Sequence, residues 1–409
     1  MKKIKFLKCI LCGSEYEESE VKYTCPKCGK DGILFVELDY KNLNFKKENL
    51  KDRPNNILRY HELFPIEDIQ NSPPLNVGMT PLYKSKRLNE YLKLNNLLIK
   101  DDGRNPTASF KDRASFIVVK KAMELGFNSI TTASTGNAAS SLAGIAASVG
   151  IKTYIFVPET APKAKIAQLL AFGANVFAVK GSYDECFDLC IKASDEFGWY
   201  NRNTAYNPYT IEGKKSVSFE IWEQMNFEVP DKIFVSVGDG VIYSGVYKGF
   251  YDLYKLNLIN KIPQVIGVQA EGASPIVKAF IENKERVEPI DNPKTVADSI
   301  CVGYPRNGNM ALKLAREYNG NFISVSDEEI LSAIPLLGKL TGIFGEPAGV
   351  TPLAGLIKMK KEGKIDENEK IVVIVSGNGL KDIESAIKST GEPNYINLDI
   401  NDIRKHVKF

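Results

Sequence analysis

Histidine is almost absent from this chain: of 409 residues only His61 and His406 carry an imidazole. That scarcity argues against a Ser-His-Asp or Cys-His nucleophile and against a His-ligated catalytic metal. Acid and base work must fall to lysine, carboxylates or a cofactor. A long apolar run is missing too, so no stretch predicts a membrane span. The opening Met1-Lys2-Lys3-Ile4-Lys5 leads into a cysteine pair and not into the apolar core of a signal peptide, which predicts a cytoplasmic protein. Charge of one sign is lacking as well. With 53 basic and 50 acidic residues the net charge is +3, too little to favour nucleic acid or a membrane surface as partner. What remains, 44% hydrophobic and 25% charged, suits two lobes with their own cores and a small appendage.

Four of the seven cysteines form two knuckles, Cys9-Ile10-Leu11-Cys12 and Cys25-Pro26-Lys27-Cys28. Four thiolates at this spacing suit tetrahedral zinc and leave no open coordination position, so the expected role is structural. A redox pair or a ribbon without metal are the alternatives that spacing leaves open. Cys186 and Cys190 lie four apart on a predicted helix (183–197) and read as ordinary buried thiols; Cys301 has no paired motif.

The predicted organisation is a ribbon over 1–38, a connector over 39–75 that is charged and asparagine-rich, a main region over 76–390, and a tail over 391–409. From residue 97 onward short apolar runs alternate with helical patterns. Strands are expected at 97–100, 129–133, 152–157, 175–179, 232–237, 264–269, 322–325 and 371–375. This alternation predicts an α/β fold with parallel sheets covered on both faces. Ligands in such sheets bind beyond the carboxyl ends of strands, so the residues just after each strand are the candidates.

The first candidate is Lys111, in Asn105-Pro106-Thr107-Ala108-Ser109-Phe110-Lys111-Asp112-Arg113, at the start of a predicted helix closed by Gly126. The positive end of a helix disfavours an ammonium, which suits an amine that must lose its proton to form a Schiff base. After 129–133 comes Ser134-Thr135-Gly136-Asn137, whose hydroxyls and helix-start amides could hold a carboxylate, or whose Ser134, Thr135 or Asn137 could simply cap the next helix. After 232–237 comes Gly238-Asp239-Gly240-Val241-Ile242, a strand-to-helix turn able to cradle a phosphate, although Asp239 must then point away from it. After 371–375 comes Ser376-Gly377-Asn378-Gly379, where a hydroxyl could meet a neutral ring nitrogen.

Together these four stretches resemble the tryptophan-synthase-β type of pyridoxal-phosphate enzyme, fold type II, and within it the threonine synthases. The resemblance covers about 76–390 and implies a two-lobed parallel-sheet fold with a smaller lobe, about 112–200, inserted in the larger. It implies that Lys111 carries pyridoxal 5'-phosphate and acts as base, that Asn137 meets the cofactor's phenolic oxygen, and that Gly238, Asp239, Gly240, Val241 and Ile242 hold its phosphate. Ser376 would face the pyridine nitrogen, and Ser134, Thr135 and Gly136 the substrate carboxylate. The implied reaction is conversion of O-phosphohomoserine and water to threonine and phosphate, and a homodimer is common in the family. The chain departs from the family in the segment Asn203 to Gly213. Thr210 stands where threonine synthases carry an arginine for the substrate phosphate, and Ala205 where serine is usual. Losing that arginine removes a charge-assisted contact. Lys214, Lys215 and Arg306 are the nearby cations that could compensate. The departure keeps a β-elimination or β-replacement activity open, such as a serine/threonine ammonia-lyase.

Overall fold

Short apolar runs bounded by helices become parallel strands because such strands are buried on both faces. In the computed structural model, which describes residues 3–407 apart from 135, 160 and 162, the strands are β1 (Ile4–Cys9), β2 (Glu15–Tyr16), β3 (Leu34–Leu38), β4 (Leu82–Tyr83), β5 (Asn96–Asp101), β6 (Ser129–Ala133), β7 (Lys152–Pro158), β8 (Asn175–Val179), β9 (Tyr200–Asn201), β10 (Lys232–Ser236), β11 (Gln264–Ala270), β12 (Asn321–Val325) and β13 (Lys370–Val375). They form three sheets: β2-β1-β3, β12-β11-β10-β13-β5-β4, and β8-β7-β6-β9. The first is antiparallel, the third parallel, and the large sheet is parallel except where β4 pairs with β5.

Successive side chains on a strand point to opposite faces, and the large sheet separates two cores accordingly. Ile233 and Val235 of β10 join an apolar cluster that runs from Leu34 through Phe64 and Phe219 to Ile374. Phe234 of the same strand joins a second cluster with Leu97, Ile266 and Leu353. The ribbon shares the first cluster, so it is packed on the body and not tethered beside it.

Segment 39–75 is more than a joining piece. Its Leu50, Ile57, Tyr60, Leu63 and Phe64 are all buried, two 3-10 helices (Lys47–Asp52 and Ile57–Leu63) carry them, and Arg59 holds Glu223 with hydrogen bonds of 2.6–3.0 Å. Most of its sparse apolar residues point inward, a pattern that a reading by composition averages away. The main region ends in the helix Ile383–Thr390, and the tail carries a short helix at Ile400–His406.

The order β10-β13-β5 in the large sheet places three carboxyl-end loops side by side. The chain leaving β5 then folds back along the chain leaving β13. Phe110 donates its amide to Ser376 O (2.9 Å), Asn378 to Ala108 O (3.0 Å), and Ser109 bridges Gly377. The lysine helix (Lys111–Glu124) starts from this seam.

Candidate active site

Lys111 is the first residue of its helix, preceded by Phe110, which gives no side-chain cap. Helix start and seam together deliver its amine to a cavity of about 340 Å³ between the large sheet and β8-β7-β6-β9. Ser134, Gly136, Asn137, the turn Gly238 to Ile242, Lys214 and the segment Asp298 to Val302 line the same cavity. Burial lowers the Lys111 pKa from its ordinary value. The carboxylate of Glu346 opposes that shift, and the Arg202 guanidinium adds to it. The result favours a neutral amine, the nucleophilic form.

The turn after β10 runs into the helix Val241–Lys255, with Gly240 as N-cap at φ +90°. A Cβ at Gly240 would lie 3.1 Å from that of Ala311, and one at Gly238 would lie 3.0 Å from Ile300 Cα. The turn therefore needs glycine for both space and conformation. Its first amides face the cavity at the positive end of a fifteen-residue helix, a setting suited to phosphate. Asp239 takes the Arg306 amide at 3.2 Å. Burial raises its pKa, while Arg306, Lys214 and Lys111 pull it down.

The expected capping by Ser134 or Asn137 does not occur. The N-cap of the helix Asn137–Ala147 is Gly136, with no side-chain hydrogen bond. Ser134 Oγ instead accepts the Gly136 amide (3.2 Å), and Asn137 Nδ2 donates to Glu346 Oε1 (2.7 Å) across the cleft. Gly136, Asn137 and Ala138 at this helix start line the cavity. Thr135 lies outside the described residues. Ser376 is buried and is not on the cavity lining; its hydroxyl sits 3.2 Å from that of Ser236, which is on it.

Several contributors escaped the reading by motif. Ser236 ends β10, and Asp298 to Val302 come from an irregular stretch with only a short 3-10 turn. Tyr183 and Thr204 also line the cavity. None belongs to a glycine-rich turn, so only their position after a strand or beside the Asn203 segment could have marked them. Asn203 and Asn207 are structural here. Asn203 Oδ1 accepts the Ala133 amide (2.7 Å), and Asn207 Oδ1 accepts the Tyr209 amide (2.9 Å) ahead of the helix Tyr209–Lys214.

A phosphate-bearing aldehyde fits these residues. An amine of lowered pKa stands at one side of the cavity and a glycine turn at a helix start at another. Buried polar atoms with no hydrogen-bond partner among the described residues, Lys214 Nζ and Arg202 Nη2, lie close by. In the ribbon the sulfurs of Cys9, Cys12, Cys25 and Cys28 lie within 4.8 Å of one another. The Cys12 and Cys25 sulfurs are 3.7 Å apart, close to the roughly 3.8 Å expected between thiolates on tetrahedral zinc. The four could hold a metal ion.

A sequence family described as pyridoxal-phosphate dependent enzyme matches residues 74–377. Threonine synthase of Methanocaldococcus jannaschii is 39% identical over 404 residues, 98% of this chain and 99% of that protein. The threonine synthase of Methanosarcina acetivorans is 40% identical over 402 residues, 98% of each. Among solved structures, a processed threonine deaminase isoform from Solanum lycopersicum superposes with a TM-score of 0.67 at 24% identity, over 85% of this chain and 94% of that one. Maize serine racemase gives 0.65 at 24%, over 73% and 88%. Both share the fold.

Proposed function

Since this chain belongs to the pyridoxal-phosphate-dependent enzyme family, we propose that it is a threonine synthase, releasing phosphate from O-phosphohomoserine and adding water to give threonine. The observation that carries this reading is the convergence of Lys111, a helix-start glycine turn and the unpaired buried amine of Lys214 on one cavity, in a chain alignable end to end with threonine synthases.

Lys111 would hold the cofactor, the amides of Gly238 to Ile242 its phosphate, Asn137 its phenolic oxygen, and the hydroxyl pair of Ser236, on the lining, and Ser376, 3.2 Å behind it, the ring nitrogen. The bound cofactor supplies an electron sink for the carbanion formed beside the substrate amine. A hydroxyl in place of a carboxylate at the ring nitrogen leaves that sink moderate. Ser134 and Gly136 orient the substrate carboxylate, which Thr135 completes in this reading. Lys111, with its pKa lowered by burial, takes the proton from Cα and returns protons along the substrate chain. The four ribbon cysteines hold a structural zinc, the enzyme is cytoplasmic, and it works as a homodimer.

Phosphate release assayed with O-phosphohomoserine tests the reading. Protein that binds the cofactor covalently yet liberates no phosphate from this substrate excludes it. Thr210 and Ala205 favour a second reading, an ammonia-lyase acting on serine or threonine. Both are fully buried, and neither lines the cavity. Ammonia and a 2-oxoacid as products would decide for that alternative.

A further inference from the structure

A threonine synthase pocket must hold two phosphates, the cofactor's and the substrate's, and the glycine turn at Gly238 to Ile242 serves one. Of the three cations that the sequence offers for the other, the fold engages Lys215 fully elsewhere and Arg306 through one side of its guanidinium. Lys215 Nζ lies 2.5 Å from Glu212 and 2.7 Å from Asp252, all three fully buried. Arg306 lies 2.6 Å from Asp184, and its guanidinium sits over the rings of Phe187 and Tyr304 at 4.4 and 4.5 Å. It is not on the cavity lining.

Lys214 is different. It is 1% exposed and lines the cavity, and its Nζ has no hydrogen-bond partner among the described residues. Its position is fixed from behind: a Cβ at Gly245 would lie 2.7 Å from Lys214 Cβ, so the phosphate-turn helix packs tightly on its backbone. Burial lowers its pKa well below the usual lysine value, and the charges of Arg202 and Lys111 push the same way, against Asp239 alone. An amine in that setting gains most from a dianion that restores its proton. Arg202 is buried behind it, with Nη1 on Thr204 (2.8 Å) and Nη2 unpartnered.

Thr210 sits one helical turn before Lys214 and gives its hydroxyl to Asn207 O at 2.8 Å. Helical side chains lean toward the helix N-terminus, so Lys214 reaches back over the turn that begins with Thr210. Resting on the threonine synthase reading, we propose that Lys214 is the specificity-determining cation of this enzyme. It grips the substrate's phosphate monoester from one turn beyond the position where related sequences place arginine, with Arg202 as the charge behind it.

The test uses holoenzyme and the non-reactive phosphonate isostere of O-phosphohomoserine, with homoserine as the uncharged comparison, both measured by calorimetry. Lys214→Gln is expected to weaken phosphonate binding by about 10- to 100-fold, the usual loss for a hydrogen bond to a charged group. Homoserine binding should stay within about two-fold, and Lys214→Arg should recover most of the loss. Cofactor affinity of the apoenzyme, followed by absorbance, should be unchanged in Lys214→Gln. A fall in cofactor affinity with phosphonate binding intact assigns the lysine to the cofactor phosphate and overturns the proposal. Equal phosphonate binding in wild type and Lys214→Gln overturns it as well. If wild type itself prefers homoserine, the threonine synthase reading fails first. A thermal melt on each variant separates loss of fold from loss of the contact.

Discussion

Arg113 donates from Nη1 and Nη2 to the two carboxylate oxygens of Glu220, at 2.5 and 2.8 Å, with neither residue exposed and Lys111 only two positions away. The same guanidinium reaches Asp102 at 2.6 and 2.9 Å, and Lys100 lies 2.7 Å from Glu220. This network ties the end of β5, the start of the lysine helix and the helix Ser216–Gln224 into one unit, so it sets where Lys111 begins.

Removing one partner of that pair leaves a buried charge uncompensated. Arg113→Met and Glu220→Gln should each lose about 3–5 kcal/mol, read as a large drop in Tm and weaker cofactor retention. Burial raises the Glu220 pKa, but the pull of Arg113 and Lys100 outweighs it and leaves it at about 2. A lowered folded-state pKa stabilises above the unfolded value and is lost as pH falls toward the folded one. The stability gap between wild type and Glu220→Gln should therefore hold above roughly pH 4.5 and narrow between there and about 2, as followed by denaturant titration.

The lysine helix crosses the helix Tyr209–Lys214 at Gly213, where an added Cβ would lie 2.1 Å from Arg113 O. Backbone on the receiving side cannot step aside as a side chain would. Gly213→Ala should cost at least about 3 kcal/mol, the upper end for overpacking, and yield mostly insoluble protein. A soluble variant with wild-type Tm would show that the two helices are free to separate.

Lys111→Ala should abolish turnover and the visible absorbance of a lysine-bound cofactor while leaving circular dichroism and Tm nearly unchanged. Mass spectrometry after borohydride reduction should place the pyridoxyl label on the peptide containing Lys111 in wild type only. Label on another lysine would move the assignment.

The ribbon touches two elements that supply cavity-lining residues. Lys30 lies 3.6 Å from Asp188 on the helix Tyr183–Glu196, and Asp31 accepts the Tyr304 hydroxyl just beyond the lining segment Asp298 to Val302. On the zinc proposed for the four ribbon cysteines, chelation, or Cys25→Ser, should release the metal and disorder these contacts. The expected effect is a several-fold rise in KM with a smaller change in kcat, checked alongside metal content by elemental analysis. A metal-free preparation with unchanged KM would limit the ribbon to a purely local role.

The sequence by itself determined the order of strands and helices and the turns that follow them. Alternation of short apolar runs with 3.6-period stretches is a local property, so of the eight expected strands β6 and β8 fall on the expected residues and the other six within one residue, whereas β1 to β4 and β9, short or outside that alternation, are not foreseen by it. It also marked Lys111, the Gly238 turn and the cysteine quartet, because backbone conformation at a helix start and sulfur spacing are local too. Only the tertiary structure decided which of these meet. Sheet order β10-β13-β5 is a choice among long-range pairings that no window of sequence contains. That order brings Ser236 to the cavity and leaves Ser376 behind it, and the facing of the two sheets lets Asn137, after β6, reach Glu346. Charge pairing was decided in the same way. Lys214, Lys215 and Arg306 look alike in the sequence, but Lys215 is buried against Glu212 and Asp252 and Arg306 is held at Asp184, while Lys214 alone of the three lines the pocket, its amine without a partner among the described residues.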